Sequence, residues 1–307
     1  MNQDFFSNQA YSEEQEVSEE TQSQQKIQDQ KTPGPLVEEQ PSGPQNLTQN
    51  EKKPLIIFNN VHKTLSGRKI LNGLTLTIYE GETFVIIGRS GTGKSVTLKH
   101  MIGIMSPDEG TIDIFGERVN GYTKKEFADL RKYFGVLFQS GALLNSLTIE
   151  ENVALPLVEH ERHLSKKEIQ RIVDEKLELV EMSHAKKNLP SEISGGMKKR
   201  AGLARAIVRS PRVVLYDEPT SGLDPIMSNS INELIISLQK KLGVTQIVVT
   251  HDMNSAYMIA DRIGMHYGGR IIEIGTPEEI KNTQSPIVRQ FIEGKVHGPI
   301  TDGSLAS

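Results

Sequence analysis

The chain has no cysteine. It therefore holds no disulfide and no thiolate metal site, and nothing in its composition points to an oxidising compartment, so it reads as cytosolic. It also lacks any run approaching the roughly 18 to 20 consecutive apolar residues that a bilayer-crossing helix needs, so a membrane role has to run through a partner. A strong charge of one sign is missing as well: 35 Lys and Arg face 39 Asp and Glu, for a net charge of −4, with much of the acid near the N-terminus. That balance supplies no field for nucleic acid, and none is expected as a partner.

The first 53 residues have little apolar surface and carry polar runs such as Glu13-Glu14-Gln15-Glu16 and Thr32-Pro33-Gly34-Pro35. Such a composition cannot offset the entropy of ordering, so a disordered tail is expected there. The segment lacks the basic start and apolar core of a secretory signal, and it is too acidic for a transit peptide. The 307 residues then divide into a tail at 1–53, one folded region at 54–295 and a C-terminal tail at 296–307.

The folded region contains Gly88-Arg89-Ser90-Gly91-Thr92-Gly93-Lys94-Ser95, every required residue of a phosphate-binding loop. Before it stands the buried-strand run Thr83-Phe84-Val85-Ile86-Ile87, and a helix is expected from Val96 to Met105. Glycines let the backbone N–H groups converge on one anion, and the helix N-terminus adds partial positive charge. The segment from Gly88 through Val96 is thus expected to hold a nucleoside triphosphate, with Lys94 on the β- and γ-phosphates and Ser95 on Mg²⁺.

Other segments set the architecture. Leu55 to Phe58 and the alternating Leu74, Leu76 and Ile78 read as an antiparallel edge layer. Ile169, Ile172, Val173, Leu177 and Val180 keep helical spacing from Ser165 to Met182, with Ser165 and Glu168 as a capping box. Strands at Val213–Asp217 and Gln246–Thr250 flank a helix that Asp224 and Pro225 open and Gly243 closes. Arg262–Tyr267 and Arg270–Ile274 form a hairpin across Gly268-Gly269. Alternating strands and helices imply an α/β fold around a mostly parallel sheet.

A phosphate loop serves kinases, GTPases, motors and transporters alike, so further residues must discriminate. Asp217 and Glu218 end a buried strand, where they fit a carboxylate behind Mg²⁺ and the base that polarises the attacking water. Ser194-Gly195-Gly196 opens a helix and makes a second anion site. Two anion sites point to ATP held between two copies of the chain.

The ordered set of phosphate loop, Gln139, Ser194-Gly195-Gly196, Asp217-Glu218, Ser221-Gly222-Leu223-Asp224 and His251 resembles the nucleotide-binding subunit of ATP-binding-cassette transporters, over roughly residues 55–295. The resemblance implies a P-loop cassette with a helical subdomain at about 140–210. It makes Gln139 the lid residue that touches Mg²⁺ and water, and Glu218, His251 and Lys94 its companions in catalysis. It gives Ser194, Gly195 and Gly196 to the ATP of the other copy, Asp224 to the dimer interface and Asp217 to the metal.

Two positions depart from the family pattern. Leu65 stands where an aromatic ring usually stacks on adenine, and Met197 follows the two glycines in place of Gln. The segments Phe138–Leu143, Pro190–Arg200 and Val288–Gly294 resemble Mla-type ATPases. That resemblance implies phospholipid transport between bacterial membranes from the cytoplasmic face of the inner membrane. Its implied partners are a second copy, an integral permease, a small regulatory subunit and mammalian-cell-entry-type substrate-binding proteins. The surface from Gln139 to Pro156 is expected to meet the permease, and the apolar stretch from Pro286 to about Pro299 to meet a second copy or a regulator.

Overall fold

The computed structural model describes residues 52–302. The disorder expected at the N-terminus therefore concerns residues that lie, apart from Lys52 and Lys53, outside the described ones. In chain order the elements are β1 (Pro54–Leu65), β2 (Arg68–Tyr79), β3 (Thr83–Ile87), α1 (Lys94–Met101), β4 (Glu109–Ile114), β5 (Glu117–Arg118) and α2 (Lys124–Leu130). There follow β6 (Phe134–Leu137), α3 (Ile149–His160), α4 (Lys166–Leu179), α5 (Gly195–Ile207), β7 (Val213–Asp217) and α6 (Pro225–Leu242). The chain continues through β8 (Thr245–Thr250), α7 (Met253–Ile259), β9 (Arg262–Tyr267), β10 (Arg270–Gly275), α8 (Pro277–Lys281) and α9 (Pro286–Ile292).

Strands β9, β3, β8, β7 and β6 pair in parallel, and β10 adds an antiparallel edge to make the order β10-β9-β3-β8-β7-β6. Successive residues of a strand face opposite sides, and here both sides are covered. Val85, Ile87, Val214, Tyr216 and Val248 join the helical residues Val153, Leu177, Leu203 and Ile235 in one core. Phe84, Ile86, Val213, Leu215, Ile247 and Val249 face the other way, onto Leu98 and Met101 of α1 and onto Phe58, Leu74, Leu76 and Ile78 of the antiparallel sheet β2-β1-β4-β5. The edge layer read from alternating Leu and Thr is that second sheet.

Local signals place the helices well where they are chemical. Ser165 and Glu168 form the reciprocal cap of α4. Asp224 accepts from the N–H groups of Ile226 and Met227, and Gly243 ends α6 at φ +63°. The first helix is shorter than expected and stops at Met101. There Gly103 turns to φ +65°, and the N–H groups of Ile104 and Met105 both return to the Lys99 carbonyl, which closes the helix.

The C-terminal stretch also differs from its expectation. Val288 is fully buried in the same core as Ile280, and Phe291 and Ile292 pack against it. Gln290 then accepts from the Ile300 N–H at 2.7 Å and donates to the Lys295 carbonyl. An amphipathic helix needs a surface to cover, and α9 covers its own domain.

Candidate nucleotide-binding site

The loop between β3 and α1 wraps a cavity of about 280 Å³ lined by Ser90, Gly93, Lys94, Ser95, Gln139 and the acidic pair, with His251, Gly91, Val96 and Ile70. Its tight course needs glycine at two places. A Cβ on Gly88 would lie 2.5 Å from the His266 carbonyl oxygen, and one on Gly93 would lie 2.9 Å from the Ile70 side chain, with φ at +151° and +110°. Thr92 Oγ1 donates to the Arg89 carbonyl at 2.9 Å and draws the loop closed.

Lys94 is 5% exposed, and its ammonium donates to the carbonyls of Gly88 at 2.7 Å and Arg89 at 2.9 Å. Burial pulls its pKa down, and the carboxylates of Glu218 and Asp217 pull it partly back. Its Nζ stands 3.9 Å from Glu218 Oε1. Ser95 Oγ donates to Asp217 Oδ1 at 2.9 Å, so the first turn of α1 is joined to the end of β7. His251 Nδ1 lies 2.9 Å from Glu218 Oε2, and Gln139 Nε2 donates to Ser221 Oγ at 3.2 Å.

Six predicted residues from four separate segments, Lys94, Ser95, Gln139, Asp217, Glu218 and His251, thus meet at one cavity. Ser194, Gly195, Gly196 and Asp224 do not line it. Ser194 caps α5 through the Met197 N–H, and both it and Gly195 are exposed. A Cβ on Gly196 would fall 2.5 Å from Met227 Cε, so the start of α5 is seated on the start of α6. Leu65 does not line the cavity either. It pairs with Arg68 at the turn of the β1–β2 hairpin, and Ile70 forms the wall.

Two further residues escaped the sequence reading. Lys199 is buried and ends on main-chain carbonyls of the site. His266 lies fully buried behind Gly88 and Gly93, neither ring nitrogen has a partner, and burial together with Lys94 pushes its pKa down to about 4.

A phosphate loop on a mostly parallel sheet, with a carboxylate and a histidine facing its lysine, defines a nucleoside-triphosphatase of the P-loop class. The ABC transporter family model matches residues 71–221. The probable ribonucleotide transport ATP-binding protein mkl of Mycobacterium tuberculosis is 43% identical over 245 residues, covering 80% of this chain and 68% of that protein. The intermembrane phospholipid transport system ATP-binding protein MlaF of Haemophilus influenzae is 39% identical over 246 residues, covering 80% and 93%. Among solved structures, a dimeric post-hydrolysis state of the ATP-binding cassette MJ0796 bound to ADP and Pi has a TM-score of 0.67 at 31% identity, covering 73% of this chain and 99% of that one. The chain belongs to the ABC transporter family and is its nucleotide-binding, ATP-hydrolysing subunit. Among the described residues no helix is long and apolar enough to cross a membrane.

Proposed function

We propose that the chain is the motor of a phospholipid transporter, acting as a dimer around two ATP molecules and driving a separate permease at the cytoplasmic face of the inner membrane. The contact of Glu218 with both Lys94 and His251 carries the ATPase part of this reading. Lys94 holds the β- and γ-phosphates, and the loop N–H groups of Gly88 to Val96 surround them. Glu218 takes a proton from the attacking water, while His251 steadies its second carboxylate oxygen and reaches the γ-phosphate.

Ser95, Gln139 and Asp217 offer only oxygen donors or a reorientable amide, the ligand type that Mg²⁺ takes. Gln139 spends its Nε2 on Ser221, which leaves the amide oxygen for the metal. When bound, Mg²⁺ neutralises charge on the phosphates.

The N-terminus of α5, where Ser194 and Gly195 are exposed ahead of buried Gly196, supplies an anion site for the ATP of a second copy, and Asp224, the cap of α6, belongs to the loop that crosses between copies. The lipid cargo is supported by the three motif segments and by MlaF, of which the chain covers 91% to 93%. On this reading the permease, a small regulatory subunit and mammalian-cell-entry-type proteins complete the system. The test is recovery of the tagged chain from detergent-solubilised membranes. An integral protein with bound phospholipid is expected, and an integral partner that binds ribonucleotide in place of lipid would overturn the cargo.

The exposed leucine and phenylalanine between Gln139 and Pro156 and just before it support the permease surface proposed there. Val153 is fully buried and Leu143 packs on the core, but Leu144 is 47% exposed and Phe138, six residues earlier, is 42% exposed. Buried Asn152 holds the Leu144 main chain through both its N–H and its carbonyl, so the backbone does not depend on the leucine side chain. Leu144→Glu is expected to weaken permease binding by at least about 2 kcal/mol, the scale of an interface hot spot. Thermal unfolding and nucleotide affinity of the variant should match the parent. Undiminished co-purification with the permease would show that the surface lies elsewhere.

A further inference from the structure

Lys199 lies on α5, five residues after the Ser194 cap, and is 5% exposed. A buried ammonium is costly unless its hydrogens are answered. Here Nζ donates to two main-chain carbonyls, that of Gln139 and, at 3.1 Å, that of Glu218. Asp217 and Glu218 also act on it through their fields, against the burial that lowers its pKa. Its neighbour Lys198 makes neither contact and is half-buried.

Both carbonyls belong to residues whose backbones need holding. Glu218 follows β7 directly and sits at φ +53°, in the left-handed region that side chains other than glycine rarely adopt. Its N–H donates to the Val249 carbonyl, and its own carbonyl accepts from Ser221 as well as from Lys199. Gln139 is the second residue after β6, in a segment where Gly141 and Ala142 turn to φ +74° and +47°. The same face of α5 grips that segment: Arg205 donates to the carbonyls of Gly141 and Ala142, and a Cβ on Gly202 would stand 3.0 Å from the Gly141 oxygen.

We infer that Lys199 is a positioning residue for hydrolysis, fixing from α5 the main chain of both Gln139 and Glu218 and so the reach of their side chains over the phosphate loop. The inference rests on the roles assigned above to those two residues. Lys199 does not line the nucleotide cavity. It differs from a stem that merely fills a gap, because its amine ends on main-chain carbonyls of two separate segments. One consequence is that the helix opening at Ser194-Gly195-Gly196 moves together with the base of its own subunit.

The test compares the full chain with Lys199→Met, which keeps the stem, and Lys199→Arg, which keeps the donors. ATP turnover and affinity for a fluorescent ATP analogue are measured on each. Misplacing a reacting group by about 1 Å costs on the order of 100-fold in rate. Lys199→Met is therefore expected to lower kcat by roughly 100-fold with KM within about threefold, and Lys199→Arg to recover turnover to within about tenfold of the parent. Turnover of Lys199→Met within about threefold of the parent, or a loss of affinity as large as the loss of rate, would overturn the inference. Lys199→Gln provides a second charge-free variant. If it and the Met variant both fail to fold, the lysine belongs to the core and the inference is equally overturned. Glu218→Gln separates the two readings: an active Glu218→Gln refutes the role of the base, whereas an inactive Glu218→Gln beside an active Lys199→Met refutes only the role of the lysine.

Discussion

Replacing Lys94 with alanine is expected to reduce ATP hydrolysis to background. Among the described residues that line the cavity, Lys94 is the one lysine or arginine, beside serines, Gln139, His251 and two carboxylates. Its removal leaves Asp217 and Glu218 facing the phosphates without the lysine charge between them. A buried hydrogen bond from a charged group contributes about 1.5 to 3 kcal/mol, so affinity alone should fall by roughly 10- to 100-fold. The rate should fall further, because the charge on the transferred group grows as the bond to it breaks. The loop also loses the two bonds from Nζ to Gly88 and Arg89. The fold should survive, because a 5% exposed cation leaves with its own desolvation cost. Phosphate release and titration with a fluorescent nucleotide check both effects, and hydrolysis within tenfold of the parent would contradict the role given to Lys94.

What could be read from the sequence was what is written in consecutive residues. The phosphate loop, the cap at Asp224, the box at Ser165 and Glu168, and the acidic pair ending a strand each depend on near neighbours, and each stands where expected. Features that depend on a distant partner were not legible. Lys198 and Lys199 are adjacent and chemically alike, and only the placement of α5 against β6 and β7 buries the second. His266 reads as one more residue of a strand, and the loop of Gly88 and Gly93 above it comes from far earlier in the chain. Nothing in Tyr216-Asp217-Glu218-Pro219 signals that Glu218 takes a positive φ. The same limit explains α9, whose apolar stripe announces a buried face without saying which surface buries it.

Glu218→Gln should bind ATP at least as well as the parent and stall. Glutamine keeps the volume and one acceptor, so the contact with His251 Nδ1, 2.9 Å in the parent, can be kept through the amide oxygen. The group lost is the negative charge that stands 3.9 Å from Lys94. That charge repels the γ-phosphate and competes for the lysine, so its removal favours bound ATP. It is also the acceptor for the proton of the attacking water, and losing a general base typically costs about 10²- to 10⁴-fold in rate. Tight binding with slow turnover means that ATP persists in the site. If the anion site at Ser194, Gly195 and Gly196 closes on the ATP of a second copy, the variant should accumulate as an ATP-bound dimer that the parent forms only in passing. Size-exclusion chromatography with light scattering, run with ATP and Mg²⁺ and again with ADP, reads this directly. A dimer with ATP and a monomer with ADP are expected. Near-parental turnover would remove Glu218 as the base, and a stalled variant that stays monomeric in ATP would remove the second copy from the site.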